Sequence, residues 1–171
     1  MKPAMLLLLL GCVAYGQTLS TTKSASAPLR IELRTNSVRV RMTDDMLVSV
    51  YFRSPNETVT IWNALWWGGS TGLELWVFDS SAHRLQHAVV PSEPLPPDQS
   101  GKNALISIEG SAFAGFDSHF AASELFPHAG SYTIKCIYNA PLSRNYFKGR
   151  VIWGKEDGVI ESPPVSIVVE N

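Results

Sequence analysis

The sequence predicts an all-β fold, an antiparallel sandwich of about seven to nine short strands. Apolar and polar residues alternate with a period of two along much of the chain, as in residues 29–33, 46–52 and 73–77. Turn-forming residues, such as the Ser-Pro-Asn-Glu run at 54–57, separate these segments at short intervals. Strand–helix alternation is absent from the pattern, which argues against a parallel α/β architecture.

Each candidate strand is identified by its alternation and by the turn residues that flank it. In chain order, the candidate strands cover residues 29–34, 38–42, 46–53, 58–62, 73–78, 85–90, 105–108, 132–138, 146–153 and 165–169. The segment 91–103 holds four prolines and is expected to be a long surface loop, because proline cannot donate to a sheet ladder. Residues 111–126 are ambiguous, with a short helical turn expected near 121–125.

The first 28 residues are expected to lie outside the fold. A single positive charge at Lys2 and an apolar run from residue 5 to residue 10 are typical of a secretory signal peptide. Two processing sites fit: cleavage after Gly16, which gives a signal peptide of residues 1–16, or lipoprotein processing that removes residues 1–11 and lipidates Cys12. Residues 17–28 are expected to form a disordered leader, and residues 29–171 the folded domain.

The export signal predicts an extracytoplasmic protein, either secreted, periplasmic or held at the membrane as a lipoprotein. No later apolar stretch approaches the roughly 20 residues of a membrane span, so the mature protein is expected to be either soluble or attached to a membrane only by an N-terminal lipid anchor. The 14 basic and 15 acidic residues give a net charge of −1. Because no run of basic residues forms a concentrated positive face, nucleic-acid binding is not expected.

Cys136 is the single cysteine left after cleavage at Gly16. A lone cysteine cannot form an internal disulfide, and a domain of this size does not need one to fold. We therefore expect Cys136 to be a buried and chemically inert thiol.

The segment 127–134 (PHAGSYTI) resembles the tyrosine corner of immunoglobulin-like domains, whose pattern is Asp-x-Gly-x-Tyr-x-Cys. Gly130 and Tyr132 match this pattern. His128 replaces the aspartate and Ile134 replaces the cysteine, so the inter-sheet disulfide of that family is missing.

Two further features resemble the same superfamily. Trp62 is similar to the buried tryptophan of the immunoglobulin fold, and residues 161–169 are similar to the closing strand of bacterial secreted immunoglobulin-like modules. The resemblance implies a β-sandwich over about residues 29–170. It implies no particular function, because this architecture hosts many.

Three patterns contain residues of known chemistry, and each has a structural interpretation. Residues 68–72 (GGSTG) match a nucleophile elbow, but a strand pattern follows where that motif requires a helix. His83 and His87 would lie about 13 Å apart on a strand, too far to share a metal ion. The Asp-Ser-His run at 117–119 consists of neighbours whose side chains diverge, whereas a catalytic triad converges. We therefore expect no catalytic residue, metal ligand or cofactor.

Four of the five tryptophans, Trp62, Trp66, Trp67 and Trp76, fall close together in the sequence. The adjacent residues Trp66 and Trp67 cannot both face the same side of a strand. The cluster therefore has three interpretations: core packing, a protein-contact surface or a platform for stacking sugars.

These observations predict a non-catalytic, exported, immunoglobulin-like interaction or structural module whose partner is an unknown protein or glycan. One alternative is a carbohydrate-binding module that uses Trp66, Trp67 and Trp76. Another is a proteinase inhibitor that inserts the proline-rich loop at residues 91–103.

Overall fold

The computed structural model describes residues 28–68, 71–85 and 103–171. This part of the chain is predominantly β, which confirms the predicted all-β class. Its strands are β1 Arg30–Thr35, β2 Arg39–Arg41, β3 Asp45–Arg53, β4 Val59–Trp62, β5 Leu73–Phe78, β6 Arg84–Leu85, β7 Leu105–Ile108, β8 Phe113–Ala121, β9 Gly130–Tyr138, β10 Ile160–Glu161 and β11 Val165–Glu170. One helical turn, α1 Ala122–Leu125, follows β8, and a 3-10 turn covers Lys155–Asp157.

The strands form three sheets. The small sheet has the order β1-β3-β8, and the large sheet has the order β2-β11-β9-β5-β6, with β10 also paired to β9. Strands β4 and β7 make a separate two-stranded sheet. Among the described residues, neighbouring strands are antiparallel except for β2 and β11, which run parallel.

The small and large sheets bury their inner faces in one hydrophobic core. In β3 every second residue, Met46, Val48, Val50 and Phe52, has no exposed surface. These side chains pack in one cluster with the inward residues of β5, β9 and β11. The ring of Phe52 meets that of Tyr138 edge to face, with centroids 5.1 Å apart, and so joins the two sheets. The predicted period-two alternation of these strands is confirmed.

The corner that leads into β9 is fixed by its tyrosine. The Tyr132 hydroxyl donates a hydrogen bond to the backbone carbonyl of His128, 2.9 Å away. The Tyr132 ring is buried and lies 4.8 Å, centroid to centroid, from the ring of Phe126. The loop before β9 is thereby tied to the core.

The segment expected to be a strand at residues 146–153 is irregular in the structure, so this prediction was wrong. Phe147 and Ile152 are buried, but they belong to a second hydrophobic cluster that also contains Trp62. Gly149 adopts a φ of +69°, and a turn closes where the Arg150 amide donates to the carbonyl of Phe147. The apolar residues of this segment therefore cover a side cluster instead of continuing a ladder.

The ambiguous segment at residues 111–126 forms the nine-residue strand β8, followed by α1. The helical turn agrees with the one expected near residues 121–125. The described residues form eleven strands instead of the predicted seven to nine: β8 and the two-residue β10 were not among the candidate strands, and the candidate at residues 146–153 is not a strand.

Several predictions fall on parts of the chain outside the described residues. These are the signal peptide at 1–16 or 1–11, the leader up to residue 27, the strand beyond Leu85 and the proline-rich loop up to residue 102. They stay predictions.

The thiol of Cys136 is free and has no exposed surface, as expected for an inert cysteine in the core. Burial raises its pKa from the ordinary value of 9.0 to about 12, because the thiolate would lose its hydration inside the protein. Since the thiolate is the reactive form of cysteine, the folded protein keeps this group in its unreactive state.

Candidate interaction surface

The structure separates the four clustered tryptophans. Trp62 and Trp67 are each only 7% exposed, whereas Trp66 is 37% exposed and Trp76 is half-buried. Trp67 belongs to the main core, where its ring centroid lies 5.2 Å from that of Phe116. As predicted, Trp66 and Trp67 have different environments. The four side chains do not form one exposed surface.

The indole of Trp76 is held by two charged neighbours. The guanidinium carbon of Arg84 lies 3.8 Å from the ring centroid and covers one face of the ring. Glu74 accepts a hydrogen bond of 2.6 Å from the indole nitrogen and another of 3.2 Å from Arg84. A sugar would therefore have to displace Arg84 to stack on that face.

The GGSTG run at residues 68–72 precedes a strand, not a helix, because β5 begins at Leu73. Thr71 fastens this loop: its hydroxyl oxygen lies 2.8 Å from the carbonyl oxygen of Trp66 and 2.8 Å from that of Gly68. Residues 69 and 70 lie outside the described ranges. The strand that the sequence pattern predicted after this motif is therefore confirmed.

The remaining candidate groups also lie apart. In β8, Asp117 and His119 are exposed on one face and the intervening Ser118 points to the other. His83 is exposed in the turn after β5, 3.5 Å from Asp79, whereas His87 lies outside the described residues. Residues 28–68, 71–85 and 103–171 contain no group of three acidic, histidine or cysteine side chains that could hold a metal ion.

The outward face of the small sheet carries a surface that the sequence analysis missed, and we call it the Arg–aromatic face. It consists of Glu32, Arg34, Tyr51, Arg53 and Phe113. The rings of Tyr51 and Phe113 meet edge to face at 90°, with centroids 5.2 Å apart. Phe113 is 57% exposed, which is unusual for an aromatic ring that is fixed in place.

Two arginines lie over these rings. The guanidinium carbon of Arg34 is 5.5 Å from the Tyr51 centroid, and that of Arg53 is 5.4 Å from the Phe113 centroid. The carboxylate of Glu32 joins both arginines, 2.9 Å from Arg34 and 3.0 Å from Arg53. Exposed cation–π contacts and exposed ion pairs are each worth only up to about 1 kcal/mol. Their main effect here is to orient the side chains.

The register of β3 and β8 brings the two rings together. Tyr51 stands directly opposite Gly115, and Arg53 stands opposite Phe113. A Cβ atom on Gly115 would lie only 2.7 Å from the Tyr51 ring and 2.2 Å from the carbonyl oxygen of Val50. Because residue 115 has no side chain, the Tyr51 ring lies over the backbone of β8 and reaches Phe113.

The face has more positive than negative charge near its aromatic pair. Arg30 lies directly across the ladder from Arg53, and like charges in that position repel. Within the described ranges, Glu32 is the acidic residue that pairs with these arginines, and it contacts Arg34 and Arg53 but not Arg30. Beside the aromatic pair the excess of arginine favours acidic groups on a partner, whereas Asp45 and Asp117 lie further along the same outward face.

The outward face of the large sheet differs in this respect. It carries a shallow cavity of about 590 Å³ lined by Phe78, Thr133, Lys135 and Ser166, among others. Three of its basic side chains are already paired: Arg84 with Glu74 at 3.2 Å, Lys135 with Glu161 at 3.3 Å and Arg39 with Glu170 at 3.2 Å. Its charges therefore give less reason to expect a charged partner than those of the Arg–aromatic face.

The sequence contains a weak signal for the Arg–aromatic face. Arg30, Glu32 and Arg34 alternate with buried apolar residues, so an outward charged row could be read directly. The position of Phe113 could not, because the neighbouring glycine and the polar residues at 117–119 obscure the strand pattern of β8.

No protein-family model matches the chain, and no curated protein matches it in sequence. The structure adds that no helix within the described residues is long and apolar enough to cross a membrane. The function is therefore inferred from the geometry of the surface.

Proposed function

We propose that the protein is an exported, non-catalytic, immunoglobulin-like module that binds another protein through the Arg–aromatic face. The observation that carries this proposal is Phe113, which is 57% exposed and yet held by Tyr51 and Arg53. Tyrosine and arginine are enriched among the residues that dominate binding energy at protein interfaces. Side chains that are already oriented lose less conformational entropy when a partner docks.

The topology supports the immunoglobulin-like part of the proposal. The order β1-β3-β8 corresponds to strands A-B-E of that fold, and β5-β9-β11 corresponds to strands C-F-G. The hydrogen bond from Tyr132 to the His128 carbonyl is the contact made by the tyrosine corner. Trp62 gives no such support, because it lies on β4, outside both main sheets, and packs in the second cluster.

The partner is a protein that presents carboxylates beside an apolar patch. Arg34 and Arg53 share the single carboxylate of Glu32. Arg30 lies across the ladder from Arg53 with no acidic partner among the described residues, so acidic groups on the partner complement the charge around Phe113. The exposed ring of Phe113 favours an apolar contact on the partner, since burial of aromatic surface contributes to the binding energy.

The extracytoplasmic location rests on the N-terminal sequence. Processing after Gly16 would release a soluble module, and processing before Cys12 would leave it attached to a membrane by a lipid. In both cases the leader at residues 17–28 separates the domain from its point of release or attachment.

The two alternatives fit the surface less well. Of the three rings that would stack a glycan, Trp66 is the one left open, because Trp67 is in the core and Arg84 covers one face of Trp76. A proteinase inhibitor would use the loop at residues 91–103, which lies outside the described residues except for Asn103. Both stay predictions.

Site-specific photo-crosslinking in the cells that make the protein tests the proposal. A benzophenone side chain at position 113 is expected to form an adduct with one extracytoplasmic protein, identified by mass spectrometry. The combined substitutions Arg34→Gln and Arg53→Gln remove the positive charge but keep long side chains. We expect them to reduce the adduct at least about tenfold, the effect of losing roughly 1.4 kcal/mol of binding energy.

The matched control places the same crosslinker at position 38, since Val38 has the same 57% exposure and lies beside β2 in the large sheet. Crosslinking at position 38 to the same protein with equal yield, or an adduct at position 113 that does not depend on the two arginines, would refute the proposed surface. Thermal unfolding of the double variant checks that its fold is intact.

A further inference from the structure

The outer edge of β8 is open in the part of the chain that the structure describes. β8 pairs with β3 along all nine of its residues and with no described strand on its other side. Natural edge strands are usually short, charged or bulged, because an open row of backbone groups recruits other strands. β8 is long and regular, and it contains no lysine, arginine or glutamate. This edge is therefore suited to pairing with another strand.

The backbone groups that lie on the open edge of β8 can be identified from one hydrogen bond. The amide of Ala122 donates to the carbonyl of Asp44, 2.9 Å away, while Asp45 stands opposite Ala121. In an antiparallel ladder this pattern makes Asp45 and Ala121 a non-hydrogen-bonded pair. The odd-numbered residues of β8 therefore direct both N–H and C=O away from β3. They are Phe113, Gly115, Asp117, His119 and Ala121.

We infer that this edge pairs with the same edge of a second copy of the chain, antiparallel and centred on Ser118. The sequence of β8 is nearly palindromic about that residue. In this register Asp117 of each copy stands opposite His119 of the other, and Phe116 stands opposite Phe120. The backbone N–H and C=O groups of Asp117 and His119 point away from β3. Asp117 of one copy and His119 of the other therefore exchange two backbone hydrogen bonds.

The pairing of each carboxylate with an imidazole selects this register. Asp117 and His119 are exposed and share one face of β8, so each acid would meet an imidazole across the dyad. A register centred on Asp117 would place two carboxylates opposite each other, and one centred on His119 would place two imidazoles opposite each other. A two-fold interface requires such self-complementarity.

The inner side of the edge adds apolar contact. Phe116 and Phe120 are half-buried, and their ring centroids lie 5.2 Å and 6.3 Å from that of Trp67. The facing phenylalanines of a second copy would cover their exposed surfaces. The two small sheets would then form one continuous sheet, with both Arg–aromatic faces on the same side. The inference does not depend on the proposed function of that face.

Disulfide trapping tests the register. At the dyad, two copies of residue 118 form a non-hydrogen-bonded pair with Cα atoms about 4.5 Å apart, within reach of a disulfide. In a chain carrying Cys12→Ser, we expect Ser118→Cys to form a covalent dimer under mild oxidation. The exposed Ser131, in the large sheet, gives the matched control Ser131→Cys, which should stay monomeric. Cys136 is buried and does not interfere.

A charge swap tests the Asp–His pair by sedimentation equilibrium. His119→Asp places carboxylates opposite each other, and we expect the dimer dissociation constant to rise more than tenfold. Adding Asp117→His restores the opposite pairing and should restore the dimer. A monomeric wild-type chain at about 100 µM, or a His119→Asp variant that dimerises as well as the wild type, would overturn the inference. Both altered side chains are exposed, so circular dichroism should show an unchanged fold.

Discussion

Replacement of Gly72 by alanine is expected to lower the free energy of unfolding by about 2–4 kcal/mol, through backbone strain and overpacking together. Gly72 has a φ of +76°, in the region that side chains disfavour. A Cβ at this position would lie 1.9 Å from the carbonyl oxygen of Asn139. The backbones cannot separate freely, because the Asn139 amide donates a 2.8 Å hydrogen bond to the carbonyl of Gly72.

Gly110 provides the control that separates strain from collision. Its φ is +51°, but a Cβ there would have no neighbour within 4 Å. Gly110→Ala should therefore cost only the backbone strain of about 1–2 kcal/mol. Urea unfolding of both variants measures the difference. Equal losses at the two positions would show that β5 does not approach Asn139 as described.

The second large effect is expected at Phe52. Truncation to alanine should cost about 3–5 kcal/mol, because the ring has no exposed surface and its removal leaves a cavity between the two sheets. It also removes the edge-to-face contact with Tyr138. The expected result is a large fall in the urea midpoint with little change in the slope of the transition.

Phe113 is the matched control, since it is the same residue type in the same sheet but on the outward face. Its truncation should cost less than about 1 kcal/mol, which is the loss of an exposed ring contact. If Phe113→Ala destabilised the protein as much as Phe52→Ala, the assignment of inner and outer faces would be wrong.

Alternation in the sequence was sufficient to predict the strands that lie in the core. In β3, β5 and β9 each apolar residue at the period of two is buried, because a pleated strand places successive side chains on opposite faces. The same reasoning correctly anticipated that Trp66 and Trp67 would have different environments. Local pattern sets which residues face inward.

Pairing between distant segments could not be predicted in this way. Trp62 is buried, but in a second cluster with Phe147 and Ile152, which come from a distant segment that the pattern around Trp62 does not reveal. Those two residues in turn suggested a strand at 146–153 because they are apolar. Phe147 and Ile152 are buried because they pack against Trp62, and not because they belong to a β-strand.

The Arg–aromatic face shows the same limit. Glu32 and Arg34 belong to β1, Tyr51 and Arg53 to β3, and Phe113 to β8. Their juxtaposition is created by the β1–β3 and β3–β8 registers. A one-residue slip of β1 against β3 would turn Glu32 and Arg34 towards the core, and a slip of β8 would turn Phe113 there.

The register of β3 against β8 is accordingly the claim on which the proposed surface depends. A designed disulfide measures it directly. Ser49 and Asp117 stand opposite each other in a non-hydrogen-bonded pair, so their Cα atoms should be about 4.5 Å apart. We predict that Ser49→Cys combined with Asp117→Cys closes an intramolecular disulfide in dilute solution, whereas Ser49→Cys combined with His119→Cys stays reduced. Preferential closure of the second combination would contradict the register and the surface that depends on it.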